Sequence, residues 1–123
     1  MKNKNSSKNT SQKGKEAEDF ACDFLRSQSY HIEGRNFNTR FGEIDIIARK
    51  DEILHFIEVK SGIGFEPIYN ITPGKIQKLI KTIAIYLKKH RLSIPYCLSA
   101  LLLSKNTHQE NFKIHFIENI TLF

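Results

Sequence analysis

Two stretches of the chain have apolar residues at the spacing of an α-helix. In residues 13–27 they recur every three or four positions and form one stripe: Ala17, Phe20, Ala21, Phe24 and Leu25. A second helix is predicted to begin at Pro73, because proline suits the first helical position and Thr72 before it is a good N-cap. This helix should end near Arg91. Its buried face is predicted to consist of Ile76, Leu79, Ile80, Ile83, Ala84 and Leu87.

Five shorter apolar stretches have the composition and length of β-strands. They cover residues 30–37, 43–49, 53–60, 96–104 and 112–120. A loop that contains glycine and proline, residues 61–71, precedes the second helix. The element order is therefore α-β-β-β-α-β-β, with no internal repeat. That order predicts an α/β fold in which a mixed sheet has helices packed on its faces.

Length and composition indicate one domain. Of the 123 residues, 40% are hydrophobic and 26% are charged, as in ordinary globular proteins. Residues 1–12 are polar or basic after the initial Met and cannot offset the entropy cost of folding, so we predict a mobile basic arm there and a folded domain at 13–123. The two cysteines form no CxxC pair, and no apolar run approaches the roughly 20 residues that span a bilayer. We therefore expect a cytoplasmic protein without a membrane partner.

The positive charge of the chain is concentrated in the second predicted helix. The whole chain has a formal net charge of +6, and residues 73–91 contain six Lys or Arg and no acid. A basic surface favours polyanions, nucleic acid first, and such a helix would contact phosphates without base specificity. Lys75, Lys78 and Lys81 are the predicted contacts. The alternative is a helix face that is merely solvated.

Acidic residues interrupt the most apolar part of the chain, residues 42–60. Strands that are almost continuously apolar are typical of the centre of a sheet, and a polar residue inserted there needs a reason. A two-residue turn between the strands would place Asp45 opposite Glu58, and Glu43 opposite Lys60. The Asp-Glu sequence of that turn is not a favoured one.

The facing carboxylates of Asp45 and Glu58 suit a divalent metal ion. Their Cβ atoms would lie roughly 4.5–5.5 Å apart, and such a pair persists if it shares a proton or binds a cation. Carboxylate oxygens are hard ligands that suit Mg²⁺ or Mn²⁺, and the backbone carbonyl of Val59 is a further candidate ligand. Strict alternation puts Asp45 on the same strand face as Ile47, and Glu58 on the same strand face as Lys60. In a site that hydrolyses phosphate esters, Lys60 would orient the attacking water or neutralise a phosphate. The alternative is a cross-strand ion-pair cluster on a solvated sheet face.

Glu18 is a further acidic candidate, because it borders the apolar stripe of the first helix. If its carboxylate points toward the sheet, it would act as another ligand or support one. The alternative is a glutamate at the helix edge that extends to water, or one that the helix dipole favours in the first turn.

Three segments of the chain resemble the YraN-like family of small bacterial proteins. They are GKEAEDFACDFL, RNFNTRFGEIDIIARKDEILHFIEVK and ITPGKIQKLI, and the resemblance covers residues 13–123. That family is related to the PD-(D/E)XK, or restriction-endonuclease-like, superfamily and is similar to Holliday-junction resolvases. The resemblance implies a three-layer α/β/α sandwich with a central mixed sheet and with catalytic groups on the central hairpin. It further implies catalytic or metal-binding roles for Glu18, Asp45, Glu58 and Lys60, with Glu43 as an accessory residue.

Taken together, the residues and the resemblance lead us to expect a Mg²⁺- or Mn²⁺-dependent endonuclease that hydrolyses phosphodiester bonds in DNA, on branched or damaged structures. Arg35 and Arg40, next to the acidic hairpin, are further predicted phosphate contacts. Resolvase-like action would need a homodimer, because two opposed strands are cut. One alternative is a nucleic-acid-binding module of the same fold without turnover. Another is a protein-interaction adaptor whose basic helix meets an acidic partner.

Overall fold

The described part of the chain consists of two helices and a five-stranded sheet. The computed structural model describes residues 2–63, 71–105 and 111–120, and in the first of these ranges it describes the side chains of residues 14–62. The elements in chain order are α1 (Lys2–Ser27), β1 (His31–Thr39), β2 (Gly42–Lys50), β3 (Ile53–Ile63), α2 (Pro73–Lys89), β4 (Tyr96–Lys105) and β5 (Lys113–Ile117).

The sheet is mixed, as predicted. Its strands lie side by side in chain order, β1-β2-β3-β4-β5. β3 and β4 are parallel, because α2 carries the chain across the sheet between them, and the other neighbours are antiparallel. β3 is therefore the central strand and is covered on both edges.

Each helix buries its apolar stripe on one face of the sheet. α1 packs Ala21 and Leu25 against one face, where Ile57 of β3 is fully buried. α2 packs Leu79 and Ile83 against the opposite face. The result is a three-layer α/β/α sandwich around a central mixed sheet, which confirms the predicted restriction-endonuclease-like fold.

α2 differs in two respects from the helix that the sequence predicts. The stripe of α2 that meets the sheet begins at Leu79 and continues at intervals of three and four residues through Thr82, Ile83 and Tyr86. Ala84 lies outside this stripe and is exposed, whereas Thr82 and Tyr86 are buried. The helix also ends at Lys89 rather than near residue 91, where a φ of 52° is incompatible with a helix.

The backbone of α1 includes most of residues 1–12, for which the sequence predicts a mobile arm. Met1 and the side chains of residues 2–13 lie outside the described part of the structure, so this arm and the start of the domain at residue 13 stay predictions. The packing of α1 that the structure does describe begins at Ala17, which is 3% exposed.

The β2–β3 hairpin has the predicted register. Lys50 pairs with Ile53 across a two-residue turn, and Ile46 pairs with Ile57. Both turn residues have positive φ, 52° and 63°, which is the conformation of the tight turns that match the twist of a hairpin. Tertiary pairing therefore overrides the poor preference of an Asp-Glu sequence for this turn.

The side chains of β2 do not alternate strictly, and in this respect the prediction is wrong. Ile44 and Ile47 both pack against α2, whereas Ile46 packs against α1. Two residues on one face of a regular strand are separated by an even number of positions, so the alternation breaks next to Asp45. The partner strand is irregular at the same level, where Asn36 has a φ of 54°. The irregularity changes the direction of β2 at Asp45, the residue on which the candidate site depends.

Candidate functional site

The β2–β3 ladder ends one residue before the two acids of the predicted site. Its last described pair is Ile46 with Ile57, so Asp45 and Glu58 lie where the strands separate. The side chain of Asp45 continues the pairing, because its Oδ2 accepts a hydrogen bond from the backbone N–H of Val59 at 2.8 Å. The hairpin therefore holds this carboxylate in place through the backbone.

Glu43 does not lie opposite Lys60, contrary to the prediction, because β2 and β3 have separated before they reach these residues. It pairs instead with Asn38 of β1, and it is exposed. Burial, followed by the charges of Glu18 and Glu58, raises the pKa of the Glu43 carboxyl. Glu43 thus lies within electrostatic reach of the other acids, at the edge of the site.

The separation of the strands opens a cleft next to the first turns of α2. It has a volume of about 660 Å³. The sheet contributes Asp45, Glu58 and Lys60 to its lining, and α2 contributes Lys75 and Lys78. The cleft therefore brings acids from two strands together with lysines from a strand and a helix.

Glu58 is a buried carboxylate whose two oxygens have different surroundings. The residue is only 5% exposed. Its Oε1 lies 3.3 Å from the ammonium nitrogen of Lys60 and 3.3 Å from that of Lys75. Its Oε2 is buried and has no hydrogen-bond partner in the described part of the structure. Such an oxygen is costly to leave unsatisfied, so it favours a bound ligand at this position.

The Asp45 carboxyl takes up a proton far more readily than an ordinary aspartate. Burial and the neighbouring charge of Glu58 raise its pKa from 3.8 to about 7, although the hydrogen bond from Val59 acts in the opposite direction. The two acids, which we call the carboxylate pair, repel each other in a setting that solvates them poorly. A cation between them would relieve this repulsion.

The start of α2 brings Lys75 to the carboxylate pair. Pro73 is the first helical residue, and the Oγ1 of the N-cap Thr72 accepts a hydrogen bond from the backbone N–H of Lys75 at 3.3 Å, as predicted for this cap. Burial, together with the neighbouring Lys60, lowers the pKa of Lys75. The contact between Lys75 and Glu58 is not among the contacts that the sequence predicts. The signal was available, because a lysine in the first turn opposes the helix dipole and needs a partner.

The donor set at the carboxylate pair fits a hard divalent ion. Among the described residues, no group of three or more His, Cys, Asp or Glu is arranged to hold a metal ion. If an ion is bound, Asp45 and Glu58 are the two carboxylates that would hold it, and water or phosphate oxygens would complete its shell, as is usual for Mg²⁺. The unpartnered Oε2 of Glu58 and the raised pKa of Asp45 both agree with this fit. The Val59 carbonyl stays a predicted ligand.

Glu18 and Arg35 are paired with each other. The guanidinium of Arg35 lies 3.4 Å from Glu18 and 2.9 Å from Asp19. The charge of Glu18 still contributes to the raised pKa of Asp45, so it lies near the site although its described contact is with Arg35. The predicted roles of Glu18 at the site and of Arg35 as a phosphate contact stay predictions.

A group of cations surrounds Phe41, which lies in the β1–β2 turn and lines the cleft. The guanidinium of Arg40 lies 4.8 Å from the centre of its ring, and the ammonium of Lys81 lies 5.2 Å from it. Behind the turn, the hydroxyls of Thr39 and Thr82 are 3.0 Å apart and join β1 to α2. Three predicted phosphate contacts, Arg40, Lys78 and Lys81, therefore border the cleft or the aromatic residue that lines it.

His55 lies on the sheet face opposite Glu58, as strand alternation predicts. It is 6% exposed, and its Nδ1 lies 3.3 Å from the Sγ of Cys97 and 3.5 Å from the Oγ of Ser99. Burial lowers the pKa of His55 and raises that of Cys97. Both groups are therefore neutral at pH 7, which is typical of packed residues rather than of a reactive thiol pair.

No helix in the described residues combines the length and the apolar character needed to cross a bilayer.

Comparison with known proteins identifies relatives along most of the chain. Residues 17–116 match the uncharacterised protein family UPF0102. A UPF0102 protein of Helicobacter hepaticus is 56% identical over 114 residues, which cover 93% of this chain and 98% of the relative. A UPF0102 protein of Wolinella succinogenes is 50% identical over 110 residues, 89% of this chain and 96% of the relative. One from Helicobacter pylori strain P12 is 49% identical over 110 residues, 89% of this chain and 91% of the relative.

The family match includes the carboxylate pair, the residues that line the cleft and the whole of α2. The matches confirm the resemblance drawn from the sequence motifs, since the YraN-like family and UPF0102 are the same group. The chain is a member of the uncharacterised protein family UPF0102.

Proposed function

We propose that this protein is a metal-dependent endonuclease that hydrolyses phosphodiester bonds in DNA, with Mg²⁺ or Mn²⁺ as cofactor. The observation that carries the proposal is Glu58, a buried carboxylate with one oxygen that has no partner in the described part of the structure. It lies in a cleft that contains three lysines, beside an aspartate of strongly raised pKa. Perturbed acids in a cleft are typical of reaction centres. Branched or damaged DNA is the substrate class that the family resemblance favours, and we propose that the protein acts in the cytoplasm.

The chain's own residues have distinct tasks in this proposal. Asp45 and Glu58 would hold the ion, and a bound ion would supply a lowered pKa for a water molecule and positive charge toward the phosphate. Lys60 lies on the same strand as Glu58 and orients the attacking water or neutralises a phosphate oxygen. Val59 fixes the Asp45 carboxylate through its N–H, so that the acids keep their position during the reaction.

The phosphate backbone of the substrate is held by the basic border of the cleft. Lys78, Lys81 and Arg40 present cations there, and such contacts bind DNA without reading its sequence. A nuclease that recognises the shape of DNA needs this kind of surface.

The test is a cleavage assay on branched, single-stranded and duplex DNA with Mg²⁺ or Mn²⁺. We expect D45N and E58Q to lower the cleavage rate by about a hundredfold or more. The matched control is E33Q, because Glu33 is an acid held in an ion pair with Arg49 and does not line the cleft. If the wild-type protein cleaves none of these substrates with any divalent ion, the nuclease proposal is wrong.

A second candidate is a nucleic-acid-binding module of the same fold without turnover. The basic border of the cleft favours it. In that case D45N would bind DNA as tightly as the wild-type protein, and no metal would induce cleavage. Replacement of Lys78 and Lys81 by methionine would weaken binding under both proposals.

A further inference from the structure

Two lysines share one oxygen of Glu58, and they reach it from different elements. Lys60 lies on the same strand as Glu58, and its side chain is 23% exposed. Lys75 reaches the same oxygen from α2, and its side chain is 34% exposed. Lys75 can therefore leave the carboxylate by a side-chain rotation into the cleft, without any change in the sheet.

Lys75 also differs from the other lysines of its helix. Among the described residues, it is the one lysine of α2 that pairs with an acid. Lys78 lines the same cleft without an acidic partner, and Lys81 and Lys89 lie over aromatic rings. A basic helix that served DNA binding alone would have no reason to direct one lysine onto a buried carboxylate.

A divalent ion at the unpartnered Oε2 of Glu58 would lie next to Lys75, which contacts Oε1 of the same carboxylate. The ion carries two positive charges, so it would repel the Lys75 ammonium and compete with it for the negative charge of Glu58. Once displaced, the ammonium of Lys75 lies in the cleft, and a phosphodiester there is the anion it can reach. This inference rests on the proposed function.

We propose that Lys75 is a residue of the reaction centre, which neutralises Glu58 in the metal-free protein and binds the substrate phosphate once a divalent ion has taken the carboxylate. Two linked effects follow. Removal of Lys75 strengthens metal binding, because a competitor is lost. The contribution of Lys75 to DNA binding exists only with metal, because Glu58 otherwise occupies it.

The first experiment measures Mn²⁺ affinity by calorimetry on the full chain, with K75M compared with K78M. Both variants lose one positive charge from the same helix and the same cleft, so K78M reports the general electrostatic effect. We expect K75M to bind Mn²⁺ about tenfold more tightly than the wild-type protein, and K78M about twofold or less. A K75M affinity equal to or weaker than that of K78M would overturn the counter-ion role. K75Q, which keeps a polar side chain, is the second variant if K75M has a lowered melting temperature.

The second experiment measures the binding of a short phosphorothioate DNA with Ca²⁺ or with EDTA. For K75M we expect about a tenfold loss of affinity with Ca²⁺ and about twofold or less in EDTA. For K78M the loss should be the same in both conditions. An equal loss for K75M in both conditions would reduce Lys75 to an ordinary surface contact and overturn the proposal. Absence of cleavage by the wild-type protein would refute the nuclease function alone, because neither experiment depends on turnover.

Discussion

Replacement of Asp45 by asparagine tests whether the proximity of Asp45 and Glu58 lowers the free energy of unfolding. The pKa of Asp45 rises from 3.8 in a free side chain to about 7 in the folded protein. The folded state therefore keeps a proton that the unfolded chain releases above a pH of about 4. The free energy of unfolding consequently falls as the pH rises from about 4 to 7. Above pH 7 the full cost of keeping Asp45 ionised in the folded protein is present.

The magnitude follows from the size of this rise. Three pH units correspond to about 4 kcal/mol at 1.36 kcal/mol per unit, which is an upper bound because the repulsion is shared with Glu58. An asparagine carbonyl oxygen can still accept the hydrogen bond from Val59, so little is lost in exchange. We expect D45N to be about 2 kcal/mol more stable than the wild-type protein at pH 8 and nearly equal to it at pH 4.

The assay is urea unfolding in EDTA at pH 4, 6 and 8, with E16Q as control because Glu16 is exposed. The difference in unfolding free energy between D45N and the wild-type protein should grow with pH, whereas the E16Q difference should stay near zero. The reasoning is refuted if D45N is less stable at pH 8, or if its difference from the wild-type protein does not depend on pH. Added Mn²⁺ should stabilise the wild-type protein more than D45N, since the ion binds the carboxylate pair only in the folded state.

Three further outcomes are expected elsewhere in the molecule. Burial lowers the pKa of His55 below 6.5, so the folded state resists protonation and loses stability as the pH falls through about 6.5. In urea unfolding, the free energy of unfolding of H55Q should therefore fall less between pH 7 and 5 than that of the wild-type protein. Phe56 is fully buried between β3 and α2, so F56A should lower the free energy of unfolding by about 3–5 kcal/mol; a loss below 1 kcal/mol would contradict the described core. Replacement of Lys81 by methionine should reduce the slope of log K for DNA binding against log salt by about 1, and an unchanged slope would exclude it as a phosphate contact.

The sequence was sufficient to predict the strands and the start of α2 because these depend on local patterns, and the short β2–β3 turn limited the possible registers. Thr72 and Pro73 identify the start of α2, and the apolar runs identify the strands. The two-residue turn then determines which residues of β2 and β3 face each other. All of this information lies within short segments, where the hydrophobic period and the caps act independently of the rest of the chain.

Other features depend on contacts between distant elements, and local patterns do not contain them. The break in alternation next to Asp45 arises where β2 leaves β3, which no periodicity predicts. The approach of Lys75 to Glu58 depends on where the first turn of α2 lies over the sheet. The burial of Tyr86 in place of Ala84 likewise depends on how the helix is rotated on that face. Each of these is a matter of tertiary geometry, and two of the three concern the candidate site.

The hydrogen bond from the Val59 amide to the Asp45 carboxylate gives the protein an internal reporter. Because a backbone N–H donates directly to a side chain of raised pKa, its proton resonance depends on the charge of that side chain. The Val59 amide signal in a ¹H–¹⁵N spectrum should therefore move with pH around 7 and shift again when Mg²⁺ is added. One assigned resonance can thus follow protonation and metal binding at the site before any substrate is known.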